Sequence, residues 1–241
     1  MAQGIKMKIC IFSDTHYCQI DKMPDGRLCS KSLDKIKEII SFCKKEGIKT
    51  LICLGDLMHI EEEGKKNEEN FSRVVSLINE SGLDFILVPG NIDSRIMNRE
   101  EYIAKSGFTL APCILETPMS RLIFLDASYS DNGEHYKAPM NDWQNSFIPD
   151  FELEFLRLNL EESKKQCFVF THQCLDPEVE EHHIIRNADK VNEIIKNSGN
   201  ALAVYSGHYH LGHKNTINGI EYITLKAASL GEENNFITLD V

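Results

Sequence analysis

Short apolar runs recur along the chain, each separated from the next by polar or glycine-bearing stretches. Lys8–Ser13, Thr50–Leu54, Phe85–Val88, Cys167–Phe170 and Ala201–Tyr205 are apolar through their interiors rather than alternating. That pattern predicts strands buried on both faces. Between them, apolar residues return at helical spacing. Leu33, Ile36, Ile39, Ile40 and Cys43 form one such face, closed by Gly47, and Phe71, Val74, Val75 and Ile78 a second, ending near Gly82. Leu153, Leu156 and Leu160 mark a third helix, with Asp150 as its N-cap, and Val191, Ile194 and Ile195 a fourth. A short helix is expected over Arg99–Lys105, and further strands over Thr109–Leu115, Arg121–Leu125, His213–Ile217, Glu221–Leu225 and Phe236–Leu239. One stretch breaks the rhythm. Ala127–Pro149 has no period, carries the only tryptophan, Trp143, and is too long for an ordinary connection. It is expected to be a lid or specificity loop. Residues 1–7 are expected to be a flexible leader.

Strands alternating with helices over 241 residues, 42% of them hydrophobic and 26% charged, predict a single α/β domain spanning 1–241. The net charge of −11 disfavours tight binding to duplex nucleic acid, because it repels phosphate backbones at long range. A local cationic site would still attract a small phosphate-containing anion. No run approaches the ~18 apolar residues of a membrane span, and none forms a secretory core. Cys10, Cys53 and Cys167, three of eight cysteines, lie inside apolar runs, where a reduced thiol acts as a small hydrophobe. The reading is a reducing, cytoplasmic setting. Nothing in the residues speaks to the oligomeric state.

The candidate chemistry sits at the strand ends. Asp14 and His16 follow the first buried run, Asp56 the second, Asn91 the third, His172 the fourth, and His208 with His210 the fifth. Ligands of open α/β sheets bind at the carboxyl ends of strands. Within Gly207-His208-Tyr209-His210 the two imidazoles share a face of extended backbone. Read alone, that pair is equally a polar loop, and an Asp or Asn after Gly is most often simple turn chemistry. Agreement across five strand ends is harder to dismiss. Imidazole, carboxylate and amide oxygen together suit Mn, Fe, Zn or Ni rather than Ca or Mg alone. Seven side chains suit two divalent ions sharing a carboxylate. Such a pair, about 3.5–4 Å apart, activates water and clamps the attacking and leaving oxygens of a phosphoryl group.

Asp14-x-His16, Gly55-Asp56, Gly90-Asn91-x-Asp93, His172 and Gly207-His208-x-His210 resemble, in order, the five signature blocks of calcineurin-like metallophosphoesterases. The resemblance implies a four-layer αββα sandwich of two mixed β-sheets flanked by helices, with the metal pair between the sheets. It also implies that Asp14, His16 and His210 hold one ion, that Asn91, His172 and His208 hold the other, and that Asp56 bridges. The implied activity is hydrolysis of phosphodiester, pyrophosphate or phosphomonoester bonds, with nucleotide-sized substrates expected. Weaker local similarity, over Thr171-His172-Gln173 and Gln173–Asn187, points to the ADP-ribose/CDP-alcohol diphosphatase branch.

The third block departs from the common pattern. Ile92 stands where many members carry an imidazole thought to stabilise charge or protonate the leaving oxygen. General acid catalysis by such a group is worth about 10²–10⁴-fold. His59 is the leading substitute, since Asp56…His59 resembles the Gly-Asp-x-x-His block of the nuclease branch; His182 and His183 are the second. Asp93 is expected to orient a ligand histidine or a nearby arginine. Arg95 reads either as a phosphate contact or as an exposed helix-start residue. Tyr17 and Tyr209 read either as base-stacking or as packing residues. Two alternatives follow from Ile92 and His59: a scaffold on the same fold with little or no activity, and a nuclease of the same superfamily.

Overall fold

The computed structural model describes residues 6–61, 64–137 and 142–241. Most of the expected leader, and positions 138–141 of the expected lid, lie outside them. In chain order the elements are β1 (Lys8–Phe12), α1 (Ser32–Glu46), β2 (Thr50–Cys53), α2 (Gly64–Ser81) and β3 (Asp84–Leu87). Next come α3 (Asp93–Ile96), α4 (Arg99–Ser106), β4 (Thr109–Leu110), β5 (Cys113–Glu116), β6 (Ser120–Phe124) and α5 (Asp150–Glu162). The remainder is β7 (Gln166–Phe170), α6 (Ala188–Ser198), β8 (Ala201–Ser206), β9 (His213–Ile217), β10 (Ile220–Thr224) and β11 (Ile237–Asp240).

The strands form two mixed sheets. One has the order β11-β1-β2-β3-β4, with only β11 antiparallel to its neighbour. The other has the order β5-β6-β7-β8-β10-β9, parallel through its centre and antiparallel at both edges. Period-2 geometry sends alternate residues of each strand to different cores. Ile9, Ile11, Ile52, Leu54, Ile86 and Val88 meet Leu122, Phe124, Phe168, Phe170 and Tyr205 between the sheets. Cys10, Phe12, Leu51 and Leu87 instead face Ile36, Ile39, Val74 and Ile78 of α1 and α2. On the other outer face Ile123, Val169 and Val204 pack against Leu156, Leu160, Val191 and Ile195 of α5 and α6. This is the four-layer αββα sandwich, and strands burying both faces explain why the runs are unbroken. All eight cysteines are free thiols. Among the described residues no helix is long and apolar enough to cross a membrane.

Two local expectations are corrected. Thr109–Leu115 is not one strand: β4 pairs with β3 in the first sheet, and β5 pairs with β6 in the second. The chain changes sheets at Ala111-Pro112, where proline lacks the N–H a ladder needs. Asp150 is not the N-cap of α5; Pro149 holds that position and Asp150 opens the first turn, where its charge favours the helix dipole.

The described parts of the Ala127–Pro149 stretch are tied down at both ends. His135 Nε2 lies 2.9 Å from the buried carboxylate of Asp126, closing a tight turn, and Ser130 Oγ donates to Glu134 O. At the far end Asn187 accepts from Ile148 N–H and donates to Ile148 O. Burial opposes the charged form of His135, but the Asp126 contact outweighs it and raises its pKa. The pair therefore stabilises fully below the unfolded histidine pKa of about 6.5 and fades as pH rises through the folded value. His135→Ala is expected to cost about 1.5–3 kcal/mol at pH 6, the scale of a charged hydrogen bond, and less at pH 9. Urea unfolding of both proteins at the two pH values checks this; an equal loss at both would contradict it.

Candidate metal centre

The five strand ends converge where the carboxyl edges of the two sheets meet. β1, β2 and β3 deliver Asp14 with His16, Asp56 and Asn91 from one sheet; β7 and β8 deliver His172 and His208 with His210 from the other. Asp14, His16, Asp56 and His208 all adopt positive φ, between 45° and 66°. Left-handed backbone costs a residue with a Cβ about 1–3 kcal/mol. Four such positions among the candidate ligands mark strain concentrated at one site.

The side chains assemble into two groups. Asp14, His16 and His210 offer donor atoms within 4.8 Å of one another, as do Asp56, His172 and His208. In the first group His16 Nε2 lies 3.1 Å from His210 Nε2, and Asp14 Oδ1 lies 3.7 and 3.5 Å from these two nitrogens. In the second, His172 Nε2 lies 3.6 Å from Asp56 Oδ2 and 3.2 Å from Asn91 Oδ1. Ligands bound at about 2.1 Å sit roughly 3.0–3.4 Å apart around an octahedral or tetrahedral ion; the 3.1 and 3.2 Å separations fall in that range and the 3.5–3.7 Å ones lie just beyond it. Asp56 also approaches the first group, its Oδ2 lying 3.6 Å from His16 Nε2. Asp14 Oδ1, His16 Nδ1 and His208 Nε2 are buried without a hydrogen-bond partner. Buried orphans of that kind are costly unless a ligand satisfies them.

Neighbours hold the donors in place. His172 Nδ1 donates to Leu54 O at 2.7 Å, which leaves Nε2 facing the cluster. Asp56 Oδ1 accepts from Ile92 N–H at 2.8 Å, freeing Oδ2. Asp14 Oδ2 accepts from His208 N–H at 3.0 Å. Asp93 orients neither a histidine nor an arginine through these bonds: its carboxylate accepts from the backbone N–H of Leu57 and Gly90. It clamps the loop after Asp56 to the loop before Asn91. The block glycines allow close approach: a Cβ at Gly90 would fall on the Asp56 carboxylate and backbone nitrogen, and one at Gly207 on Ser13.

The charges are tuned accordingly. Burial works against ionisation of Asp14, but the hydrogen bond from His210 and the charge of His172 hold its carboxyl well below the usual range. Burial would lower His172, yet the Asp56 and Asp14 carboxylates push it up to about 9. His16 and His208 go the other way, lowered first by burial and then by neighbouring cations, and so remain neutral donors.

Around this centre the structure gathers some predicted residues and adds others. His59 reaches the first group, its ring 5.7 Å from that of His16. Trp143 reaches the second, 5.3 Å from His208 and about as close to His182 and His183, at 5.6 and 5.5 Å. Tyr209 packs on His183 at 5.1 Å, while Tyr17 is buried in the α1–α2 core. Sequence reasoning missed Arg27, whose charge depresses both His16 and His59. It sits in a loop with no metal-ligand spacing, so only its place after the Pro24-Asp25-Gly26 turn could have marked it. It also missed Ser229, which donates through both N–H and Oγ to Asp14 O, and Lys35, a buried ammonium bonded to Ala228 O, Gly231 O and Glu233 O.

The same architecture is found in solved structures. A dimetal phosphatase from Danio rerio superposes with a TM-score of 0.82, covering 98% of this chain and 92% of its own at 16% identity. A Thermus thermophilus protein gives 0.62, with 98% and 99% covered at 13% identity. A phosphopantetheinyl hydrolase from Mycobacterium tuberculosis gives 0.51, with 93% and 91% covered at 14% identity. At such identities the likeness is one of fold. Among curated proteins no sequence matches. The family model of the calcineurin-like phosphoesterases, a family with a dinuclear divalent metal centre, matches residues 7–212, and the chain belongs to that family.

Proposed function

We propose that this chain is a single-domain, two-metal phosphohydrolase acting on nucleotide-sized phosphodiesters or pyrophosphates. Asp14, His16 and His210 hold one ion, Asn91, His172 and His208 the other, and Asp56 bridges them. The observation that carries this reading is Asp56 Oδ2, placed 3.6 Å from an imidazole of each group while its other oxygen is occupied by Ile92 N–H. Two divalent ions of the Mn, Fe, Zn or Ni class held by these residues would supply Lewis acidity and lower the pKa of nearby water. The chain's own residues do the rest. The donor loops fix geometry before substrate arrives, and Arg27 adds positive charge on the side of the first group.

Ile92 can neither donate nor take a proton, so another group must face the leaving oxygen. His59 is proposed for that place. Burial lowers its pKa first and the charge of Arg27 second, so it serves as a neutral N–H donor rather than as an imidazolium. His59→Ala is expected to lower turnover of an alkyl phosphodiester by about 10²–10³-fold, the scale of one lost transition-state donor. Aryl substrates with good leaving groups should lose far less. Equal losses on both, or none with metal content intact, would remove His59 from the mechanism.

Purified protein should be loaded with Mn, Ni or Zn and offered cyclic nucleotides, nucleoside diphosphate conjugates, an aryl phosphodiester and short single-stranded DNA. Full metal occupancy with no turnover on any of them would favour the scaffold, to which Ile92 lends its weight. Turnover confined to DNA would favour the nuclease. Chelation is expected to abolish activity and lower stability by about 5 kcal/mol for two ions each present at a hundred times its Kd. For a chain of this size that is a fall in Tm of about 10–20 °C. A Tm indifferent to chelator would contradict a buried two-ion centre.

A further inference from the structure

Glu180, His182 and His183 form a cluster that the proposed centre does not use. They lie on and just before a 3-10 turn, Glu181–His183, which is pinned by His183 N–H to Glu180 O and by Cys174 N–H to His183 O. One donor atom from each lies within 4.8 Å of the others. Glu180 Oε2 is 3.3 Å from His182 Nε2 and 3.9 Å from His183 Nδ1. The first separation falls within the roughly 3.0–3.4 Å edges of a polyhedron with 2.1 Å bonds, and the second exceeds them by about 0.5 Å, a gap that a small turn of the exposed Glu180 side chain closes. The imidazoles lie side by side, ring centroids 4.2 Å apart, so both can turn toward one point. His183 is further held between Trp143 and His208, at 5.5 and 5.2 Å, and its Nδ1 is buried without a hydrogen-bond partner. A nitrogen in that state needs a ligand or costs free energy.

We propose that Glu180, His182 and His183 bind a third divalent transition ion at the rim of the centre, beside the second group. Two imidazoles and a carboxylate suit Zn, Co or Ni and leave coordination positions open. An ion there places positive charge against the His208 side of the site. On a chain of net charge −11, it gives a second anionic group of a substrate something to bind.

The test is a metal count. Full-length protein equilibrated with Zn or Co and freed of excess ion should carry three equivalents per chain. His182→Ala and Glu180→Gln should each carry two. Both side chains are substantially exposed, 43% and 59%, so folding should survive, as circular dichroism would verify. Asp56→Asn should lose metal from the main centre while keeping the rim ion. Wild-type protein with two equivalents, or variants that retain three, would overturn the proposal. Loss of one ion in His182→Ala with none lost in Asp56→Asn would uphold it and overturn the two-metal reading instead.

Discussion

Asp56→Asn is expected to cut kcat/KM by on the order of 10³-fold and to release metal from the main centre. The carboxylate stands between two groups of donors, with Oδ2 3.6 Å from both His16 Nε2 and His172 Nε2. An asparagine can still accept the Ile92 N–H through Oδ1, but it then turns an uncharged amide nitrogen toward both groups. That nitrogen is a donor and cannot bridge cations. A Lewis-acid pair contributes several kcal/mol to a phosphoryl transition state, and about 4 kcal/mol corresponds to 10³-fold in rate. Steady-state kinetics alongside elemental analysis reads both effects. Full metal content with kcat/KM within tenfold of wild type would show that Asp56 does not bridge.

The second large effect is steric. Gly90→Ala should destabilise the chain by about 3 kcal/mol or more, the upper end for forced overpacking, and abolish high-affinity metal binding. The added methyl would meet the Asp56 backbone nitrogen, which cannot swing aside, and the Asp56 carboxylate, which Ile92 N–H already pins. Gly90 does not have positive φ, so the cost is one of space and not of conformation. Gly133→Ala provides the contrast: nothing lies within 4 Å of its Cβ position, although its φ is +79°. Its cost should stay near 1 kcal/mol with metal binding unchanged. Thermal unfolding with and without chelator separates the two. If Gly90→Ala bound metal like the wild type, the close approach of the second and third blocks would not matter to the site.

Much of this was legible in the chain because buried strands leave an unbroken signal and end abruptly. Ile9, Ile52 and Phe168 declare double-sided burial by their neighbours, and the polar residue that stops each run is a candidate ligand. Other features have no local signature. Pro112 lies inside an apolar stretch that reads as one strand, yet the chain changes sheets there, and only the pairing partners reveal it. Asp93 looked like a partner for a side chain, but its acceptors face two backbone amides 36 and three positions away, a relation set by tertiary packing. Arg27, Lys35 and Ser229 act on the site through contacts between distant segments, which residue spacing does not encode. Trp143 was marked by its rarity and not by any pattern.

The support of Asp14 by the last part of the chain has a consequence for biosynthesis. β1 is made early, but its outer edge is covered by β11, and the Asp14 carbonyl is held by Ser229. Between Phe12 and Ile237 a ribosome adding about 5–20 residues per second takes roughly 10–45 s. Throughout that interval one side of Lys8–Phe12 is an unpaired hydrophobic edge, the kind of template on which chains aggregate. The strand that leads into the candidate metal centre is thus a nascent-chain liability until β11 docks, and chaperone dependence in the cell should centre on β1.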